Sequence, residues 1–437
     1  MGDKPPKRRW LVLAYAFNMD GRAASQTVTD KVPYLLAEGI ELTVLSSRSG
    51  RRDTRFQHLQ FQPWGPSGLR FEFRHIVARR FGRGLFYRVT TALVSLLLLP
   101  FVIVERLVFG LANFSSWAIP ATIKGTRLVR TGDYELVFSS GGAWCAHLAA
   151  AWIKRRTGIK WIAEIHDPMV IRDDPDDDGT RPRANRNDRF VQHLEGVICR
   201  EADHVWWFTR PALDFAKHRH PELGNKGFVV YPGAEPPEVQ GRHLPGEHLV
   251  LSHFGSLTND RSLSPVIAAL ANLVQGYPQI RHDLRIHTYG TNLDPAAREV
   301  LAGTDLADMI VEFGRLEFDP NTGLSGRARV TKKMYETDVL LLLHGDYEWC
   351  AEYIPSKLYE YFWARRPVFA VTNRSESLDD MLARRNAYLC HTHEPASIEA
   401  ALRRMHEDWR AGHLNEAAGE PVTVESAVRQ ILAQVSG

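Results

Sequence analysis

The sequence contains few cysteines, and none of them has metal-type spacing. Cys145, Cys199, Cys350 and Cys390 are scattered along the chain, and no two form a CxxC pair. We therefore expect free thiols in a reducing compartment. A fold held together by disulfides is excluded by this pattern.

The chain also lacks a strong excess of either charge. Its formal net charge is +3 and its pI about 8.6, values too mild to indicate a nucleic-acid partner. Hydrophobic residues make up 44% and charged residues 24% of the chain, as in ordinary globular proteins. A length of 437 residues predicts two domains of roughly 200 residues each.

A clear signal peptide is missing as well. Basic residues 7–9 precede an apolar run at 10–17, but this run is short and residues 18–21 resemble a loop that follows a strand. We therefore predict a cytoplasmic protein.

The N-terminal segment alternates strand and helix patterns. Residues 10–17 and 40–46 are typical of buried strands, and a helix pattern at 23–38 lies between them. This order indicates a doubly wound α/β domain, in which ligands bind at the carboxyl ends of the strands. The loop at 18–22, with Gly21 and Arg22, is then expected in a cleft. It is not GxGxxG, so a nicotinamide-dependent dehydrogenase is disfavoured.

A basic and apolar insertion then interrupts this pattern. Arginines concentrated between Arg70 and Arg88 precede the run at 89–104, which contains Pro100 and ends at Glu105-Arg106. The run falls short of the roughly 20 residues that cross a bilayer. We favour a helix lying at a membrane surface, with a buried core helix and a true span as the alternatives.

The α/β pattern returns with strands at 134–139 and 160–165, and His166 follows the second strand. A histidine at a strand end is either a site residue or only a structural cap. The acidic loop after it contains Asp174-Pro175-Asp176, which matches a bare DxD metal motif. Hard cations need several converging oxygens, so a solvated loop is the better interpretation and no metal is expected.

The second half begins after the Pro- and Gly-rich segment 231–237, which predicts a linker. A strand at 248–254 leads into Gly255 and Ser256, where small residues allow a phosphate to approach the backbone. Arg261 stands just before the next helix as a candidate cation, or as an ordinary surface arginine. Two further strands, at 284–289 and 310–313, each end at a glycine.

The most informative stretch is 352–371. It follows a strand at 338–343 and predicts a helix at 356–364 with Lys357 in its first turn. Unpaired N–H groups and the helix dipole favour an anion there. Glu360 lies one turn further on and Glu352 precedes the helix. The alternative is an amphipathic helix whose Lys357 and Glu360 merely pair in solvent.

The pattern Glu352-x7-Glu360, with Pro355-Ser356-Lys357-Leu358 inside it and Arg366-Pro367-Val368 after it, resembles the donor site of retaining GT-B glycosyltransferases, in particular bacterial family-4-like sugar transferases. The resemblance implies that Lys357 binds the donor diphosphate, Glu360 the ribose and Glu352 the donor sugar. It implies further roles elsewhere in the chain: His166 in orienting the reacting groups, Gly255, Ser256 and Arg261 on the diphosphate, Arg315 and Leu316 on the base, and Gly21 and Arg22 near phosphate and acceptor.

The resemblance implies an α/β GT-B fold with two doubly wound Rossmann-like domains facing a cleft. We expect an acceptor-side domain at 1–232 with the insertion at about 66–115, and a donor domain at 233–415. A last helix within 416–437 is expected to return to the first domain.

The implied activity is retaining, metal-independent transfer of a hexose from a nucleotide-sugar. The expected acceptor is a lipid-linked or membrane-proximal glycan. The protein would lie on the cytoplasmic face of the cell membrane and attach through residues 70–114, without nucleic acid or a cofactor. A nucleotide-sugar epimerase and a non-catalytic membrane scaffold of the same fold are the alternatives.

Overall fold

The computed structural model describes residues 8–19, 22–82, 84–170, 185–239, 241–243, 245–345, 347–373, 375–414 and 418–436. The chain divides into two compact units. The first unit comprises Met1–Tyr231 together with Val424–Gly437, and the second comprises Pro232–Thr423.

The first part of the chain alternates strands and helices over a long stretch. Its elements are β1 (Arg9–Leu13), α1 (Ala23–Thr29), α2 (Val32–Ala37), β2 (Glu41–Ser47), β3 (Gln57–Phe61), α3 (Pro66–Phe81), α4 (Leu85–Val108), α5 (Ala118–Thr131), β4 (Leu136–Gly141), α6 (Cys145–Thr157), β5 (Lys160–Ile165), α7 (Arg186–Glu201), β6 (His204–Trp207), α8 (Arg210–Arg219) and β7 (Gly227–Val229).

The remainder of the chain repeats this alternation. Its elements are β8 (Leu249–Gly255), α9 (Ser264–Gly276), α10 (Gln279–Asp283), β9 (Leu284–Gly290), α11 (Pro295–Ala302), β10 (Ile310–Glu312), α12 (Gly326–Glu336), β11 (Val339–Leu343), α13 (Lys357–Ala364), β12 (Val368–Thr372), α14 (Glu376–Ala383), β13 (Tyr388–His391), α15 (Pro395–Arg410) and α16 (Val424–Ser436).

Each unit contains one parallel sheet. Among the described residues, the first sheet has the order β3-β2-β1-β4-β5-β6-β7 and the second the order β10-β9-β8-β11-β12-β13. In both, the strand order reverses beside the first strand of the unit, where β1 lies between β2 and β4 and β8 lies between β9 and β11. Doubly wound sheets bind ligands at this reversal, at the carboxyl ends of the strands.

The strands are apolar along most of their length because helices cover both faces of each sheet. In β11, for example, all five residues are buried. The last helix, α16, completes the first unit, since Val428 and Ile431 pack in the same cluster as Trp10 and Trp206.

Helices α3 and α4 pack against each other, and few side chains of α4 are buried in the core. Within α4 only Thr91 and Val102 are buried. Most of its large apolar side chains are exposed, among them Leu96 at 67% and Leu97 at 71%. The buried-core alternative for this segment is therefore wrong.

Helix α4 is also longer than the apolar run suggested. It continues through Glu105 and Arg106 to 24 residues with a mean hydropathy of 2.1 over its most apolar window, so among the described residues it alone is long and apolar enough to cross a membrane. The charged pair does not end it, because Glu105 has a structural partner: its carboxylate accepts from the Ser67 N–H at 2.7 Å, at the start of α3.

Two other sequence-based boundaries change. The helix expected at 23–38 is broken into α1 and α2, with Pro33 in the first turn of α2, where its missing N–H is tolerated. Strand β3, which the sequence analysis did not predict, forms the edge of the first sheet beside β2.

Candidate functional site

A lysine and a glycine meet at the carboxyl end of β8. The Lys357 Nζ lies 3.1 Å from the carbonyl oxygen of Phe254 and 3.4 Å from the Nε2 of His253. Gly255 has a φ of +123°, and a Cβ on it would lie 3.8 Å from this ammonium. The backbone at Gly255 therefore lies open to a group that also touches Lys357.

Burial changes the protonation of this lysine. Desolvation, together with the smaller effect of the positive charge of Arg261, lowers the pKa of Lys357 to about 7. Burial, with the Lys357 charge, likewise depresses the pKa of His253 well below its usual value. Positive charge at this site is therefore poorly hydrated, and a bound anion would stabilise the protonated form of the lysine.

Arg261 faces the same region. It belongs to a tight turn in which its N–H donates to the Thr258 carbonyl at 2.9 Å. Its Nε is buried and has no hydrogen-bond partner among the described residues, and the nearest carboxylate, Asp260, is 3.9 Å away. Burial, and to a smaller extent the charge of Arg261, lower the pKa of His344 to about 4. Ser256, beside Gly255, is exposed.

Among its described residues, the segment between β11 and α13 contains two buried polar side chains, those of His344 and Glu352. His344 follows β11, and its Nε2 lies 3.1 Å from the carbonyl oxygen of Tyr353. Glu352 is 2% exposed. The assignment of Glu352 to the donor sugar stays a prediction.

Glu360 pairs with an arginine that the sequence analysis did not identify. Its Oε1 lies 3.5 Å from the Nε of Arg327, on α12. The alternative of a solvent-facing Lys357–Glu360 pair is not formed, because the lysine turns toward β8. No local pattern links Arg327 to Glu360, since the two are far apart in the chain.

The segment after β10 lies close to Arg327. A Cβ on Gly326 would lie 2.7 Å from the Leu316 carbonyl oxygen, so Leu316 rests on the start of α12. Arg315 is exposed. The structure thus gathers Leu316, Arg327 and Glu360 at one edge of the second unit.

Three aromatic rings extend from the second sheet toward this segment. Phe254 stacks on Tyr289 with centroids 4.9 Å apart, and Tyr289 stacks on Phe313 at 4.8 Å. Phe313, one residue before Gly314, is 50% exposed. A planar ligand has a stacking surface here.

The first unit has a buried ionic cluster at the carboxyl ends of β4 and β5. The Lys31 Nζ lies 2.7 Å from Glu164 Oε1. The other carboxylate oxygen of Glu164 contacts the Ser140 hydroxyl and lies 3.2 Å from His166 Nε2. Lys31 holds the pKa of Glu164 well below its usual value against the opposing effect of burial.

This cluster fixes the orientation of His166. A carboxylate only accepts hydrogen bonds, so in the neutral imidazole the proton stands on Nε2. The Nδ1 then carries the lone pair, and it has no hydrogen-bond partner among the described residues. The Phe208 ring stacks on the imidazole at 5.0 Å.

The glycine loop of the first unit is only partly described. Gly21 lies outside the described residues, as do Asp174, Pro175 and Asp176. Arg22 lies against α3, where its Nη2 is 3.2 Å from His75 Nε2 and its guanidinium lies over the Phe71 ring at 5.6 Å. Among the described residues, no three His, Cys, Asp or Glu side chains converge as metal ligands.

Comparison with known proteins rests on structure alone. The sequence matches no family model and no curated protein. Its fold matches HepE from Anabaena, solved with UDP and glucose, with a TM-score of 0.59 and 12% identity over 98% of this chain and 99% of that one.

Two further solved structures match over nearly the same length. TarM has a TM-score of 0.61 and 9% identity over 98% of this chain and 99% of that one. A UDP-forming trehalose-phosphate synthase from Burkholderia vietnamiensis has a TM-score of 0.57 and 11% identity, over 98% and 95%. With its two doubly wound parallel sheets, the chain has the GT-B fold of these glycosyltransferases.

Proposed function

We propose that the protein is a glycosyltransferase that takes a hexose from a nucleotide-sugar. The observation that carries this proposal is the Lys357 ammonium beside Gly255, with Arg261 turned toward the same region. Two cations and exposed backbone suit a diphosphate, which is the leaving group of such donors. HepE, which shares the fold, has been solved with UDP and with UDP-glucose.

The proposed chemistry is charge stabilisation. As the bond between sugar and diphosphate breaks, negative charge grows on the diphosphate, and preorganised cations in a poorly hydrated site stabilise it strongly. Lys357 and Arg261 supply this charge without a metal ion. Glu360, oriented by Arg327, would bind the ribose, and Glu352 the hydroxyls of the sugar.

We further propose that transfer retains the anomeric configuration by attack on the same face of the sugar. No protein nucleophile is assigned. In the first unit, His166 would accept a hydrogen bond from the reacting hydroxyl through Nδ1, since Glu164 occupies its Nε2 side.

The proposed acceptor is a lipid-linked or membrane-proximal glycan on the cytoplasmic face of the membrane. Support comes from α4, whose exposed leucines lie near the arginines of α3. Two of these arginines have protein partners: Arg74 donates to Ser95, and Arg79 donates to the carbonyl oxygens of Ser49 and Gly50. Arg80 and Arg88 are exposed and would attract anionic lipid.

The test is thermal unfolding with UDP, GDP, ADP, TDP and CDP, each added alone. A ligand at about a hundred times its dissociation constant adds about 2.7 kcal/mol, and one nucleotide should therefore raise the melting temperature by several degrees. Glu360→Ala should remove this shift, and Lys357→Ala should abolish sugar transfer. The control Glu299→Ala, an exposed carboxylate on α11, should retain both. Full transfer activity in both site variants would refute the donor site.

A further inference from the structure

A second polar cavity lies in the first unit, away from the His166 cluster. It has a volume of about 750 Å³ and is lined near the carboxyl ends of β2 and β3 by Arg48, Arg52, Gln60, Gln62 and Trp64, and also by Pro120 of α5. This volume is in the range of small-molecule sites.

The cavity carries uncompensated positive charge. Arg48 and Arg52 are exposed, and neither forms an ion pair within the described part of the chain. The neighbouring carboxylate, Asp53, is already paired with Arg55 at 2.7 Å. His58, in the wall, adds no charge near neutral pH, because burial lowers its pKa to about 4. An anion would therefore meet two available guanidinium groups.

The arginine-bearing loop is held in place from two sides. Gln60 Nε2 donates to the carbonyl oxygens of Ser47 at 3.1 Å and Gly50 at 2.9 Å. Arg79 of α3 donates to the Ser49 oxygen at 3.0 Å and also to Gly50. Because the backbone is fixed before a ligand arrives, binding loses less conformational freedom.

The rim of the cavity adjoins the base of the apolar helix α4. Trp64 is 60% exposed. The next residue, Gly65, donates its N–H to Ser116 at 2.7 Å, and Ser67 binds Glu105 of α4. The exposed Leu107 and Val108 lie within one turn of Glu105. Pro120, which also lines the cavity, belongs to α5, where Ile119 and Ile123 are exposed.

We propose that this cavity binds the diphosphate head group of a membrane lipid, with the lipid chain lying along α4. Guanidinium groups bind phosphate oxygens in bidentate fashion, and the glutamines and Trp64 offer hydrogen bonds and a stacking face to an attached sugar. This proposal depends on the proposed function in one respect only, namely that the lipid carries the acceptor glycan.

The experiment is flotation of the full-length protein with phosphatidylcholine vesicles. One set carries a polyprenyl diphosphate, a second carries phosphatidylserine at equal total charge, and a third carries neither. Binding is compared for the wild type, for Arg48→Ala/Arg52→Ala and for Arg403→Ala/Arg404→Ala. The control pair removes the same charge from α15 in the second unit, where both side chains are exposed.

The wild type should prefer the diphosphate vesicles over the other two, and the Arg48/Arg52 variant should lose this preference by roughly 10- to 100-fold. The control pair should keep it. An unchanged preference in the Arg48/Arg52 variant would overturn the proposal. An equal loss on phosphatidylserine would also overturn it, because general surface charge would then explain the binding.

Inorganic diphosphate, added as a competitor, distinguishes a lipid from a soluble anion. If it binds as tightly as the vesicles, the lipid assignment fails. Thermal unfolding with nucleotides separates this proposal from the proposed function, since Arg48→Ala/Arg52→Ala should show the same increase in melting temperature as the wild type. A wild type without any nucleotide shift would refute the transferase while leaving the vesicle result intact.

Discussion

Lys31 and Glu164 are an ion pair withdrawn from water, with side chains 1% and 0% exposed. The desolvation of two charges is costly, so such a pair adds little net stability, but the loss of one partner leaves the other charge buried and uncompensated. Glu164 also contacts Ser140 and His166. The pair therefore acts mainly by orienting the histidine.

A double-mutant cycle measures this coupling. Lys31→Met and Glu164→Gln should each lower the free energy of unfolding by about 3–5 kcal/mol, and the double variant should lose much less than the sum. Chemical denaturation provides the values. The half-exposed pair Arg8–Glu135 is the control and should show a coupling below about 1 kcal/mol. A coupling near zero for the buried pair would contradict the assignment.

The proposed contact between Lys357 and the donor diphosphate predicts that donor affinity depends on pH. Its pKa of about 7 in the unliganded protein should rise when a diphosphate binds. Below pH 7 the lysine is already protonated and affinity should be flat. Above pH 7 the anion must bind together with a proton, so affinity should fall by up to about tenfold per pH unit.

Calorimetry between pH 6 and about 9 tests this dependence, with a nucleotide-sugar of the nucleotide that raises the melting temperature, because a diphosphate diester has no ionisation of its own near neutral pH. Proton uptake at pH 8 should appear as a dependence of the heat on the buffer. Lys357→Arg keeps its charge throughout this range and should flatten the profile. A wild-type profile that is already flat would show that the lysine does not bind the donor.

At this scale the sequence predicts what is local. The sequence indicates Lys357, Gly255 and Arg261 as candidates because each stands at a fixed step from a strand end or a helix start, and the structure brings Lys357 close to Gly255. Lys31 and Arg327 were missed because their partners lie far along the chain, and nothing in their neighbourhood marks a lysine or arginine that turns inward.

The α3–α4 pair is joined at its base by one carboxylate. Glu105 accepts from the Ser67 N–H, and a Cβ on Gly65 would collide with the same carboxylate. A side chain from α4 thus satisfies the first turn of α3, a place where backbone N–H groups otherwise lack partners.

Glu105→Ala should destabilise this contact between α3 and α4. The loss of a charge-assisted hydrogen bond to a helix start costs about 1–2 kcal/mol, so amides at 65–69 should exchange with deuterium roughly 5- to 30-fold faster. Hydrogen-exchange mass spectrometry resolves this segment. Glu38→Ala, which changes an exposed carboxylate after α2, should leave it unchanged. Equal exchange rates in both variants would show that Glu105 does not stabilise the start of α3.

Elements were predictable where hydrophobic periodicity was strong. The core strands and α13 follow from runs such as 339–343. The end of α4 could not be predicted, because a charged pair inside an apolar run normally indicates exposure to solvent. Only the structure shows that Glu105 caps another helix. Edge strand β3 has the sequence QHLQF, and its one buried residue is the polar His58, so it lacks the apolar run typical of a buried strand.

At the scale of the whole molecule, α4 gives the first unit an apolar surface unlike the rest of the chain. Leu96→Glu/Leu97→Glu should weaken binding to anionic vesicles at least roughly tenfold, because two large side chains lose apolar contact and two charges are added. Vesicle sedimentation measures the change.

The control for this experiment is Gln430→Glu/Ala433→Glu, which places two carboxylates on the exposed face of α16. It should bind vesicles like the wild type. If the α4 variant also does so, the surface of α4 does not contact the membrane.

The position of α16 affects how the protein is made. The α16 residues that close the core of the first unit are synthesised only after the whole second unit, Pro232–Thr423. Until α16 has been synthesised, the cluster around Trp10 and Trp206 lacks the side chains of this helix. A stop codon just before Val424 would therefore leave the second unit whole and should destabilise the first unit, whose core would lose Val428 and Ile431.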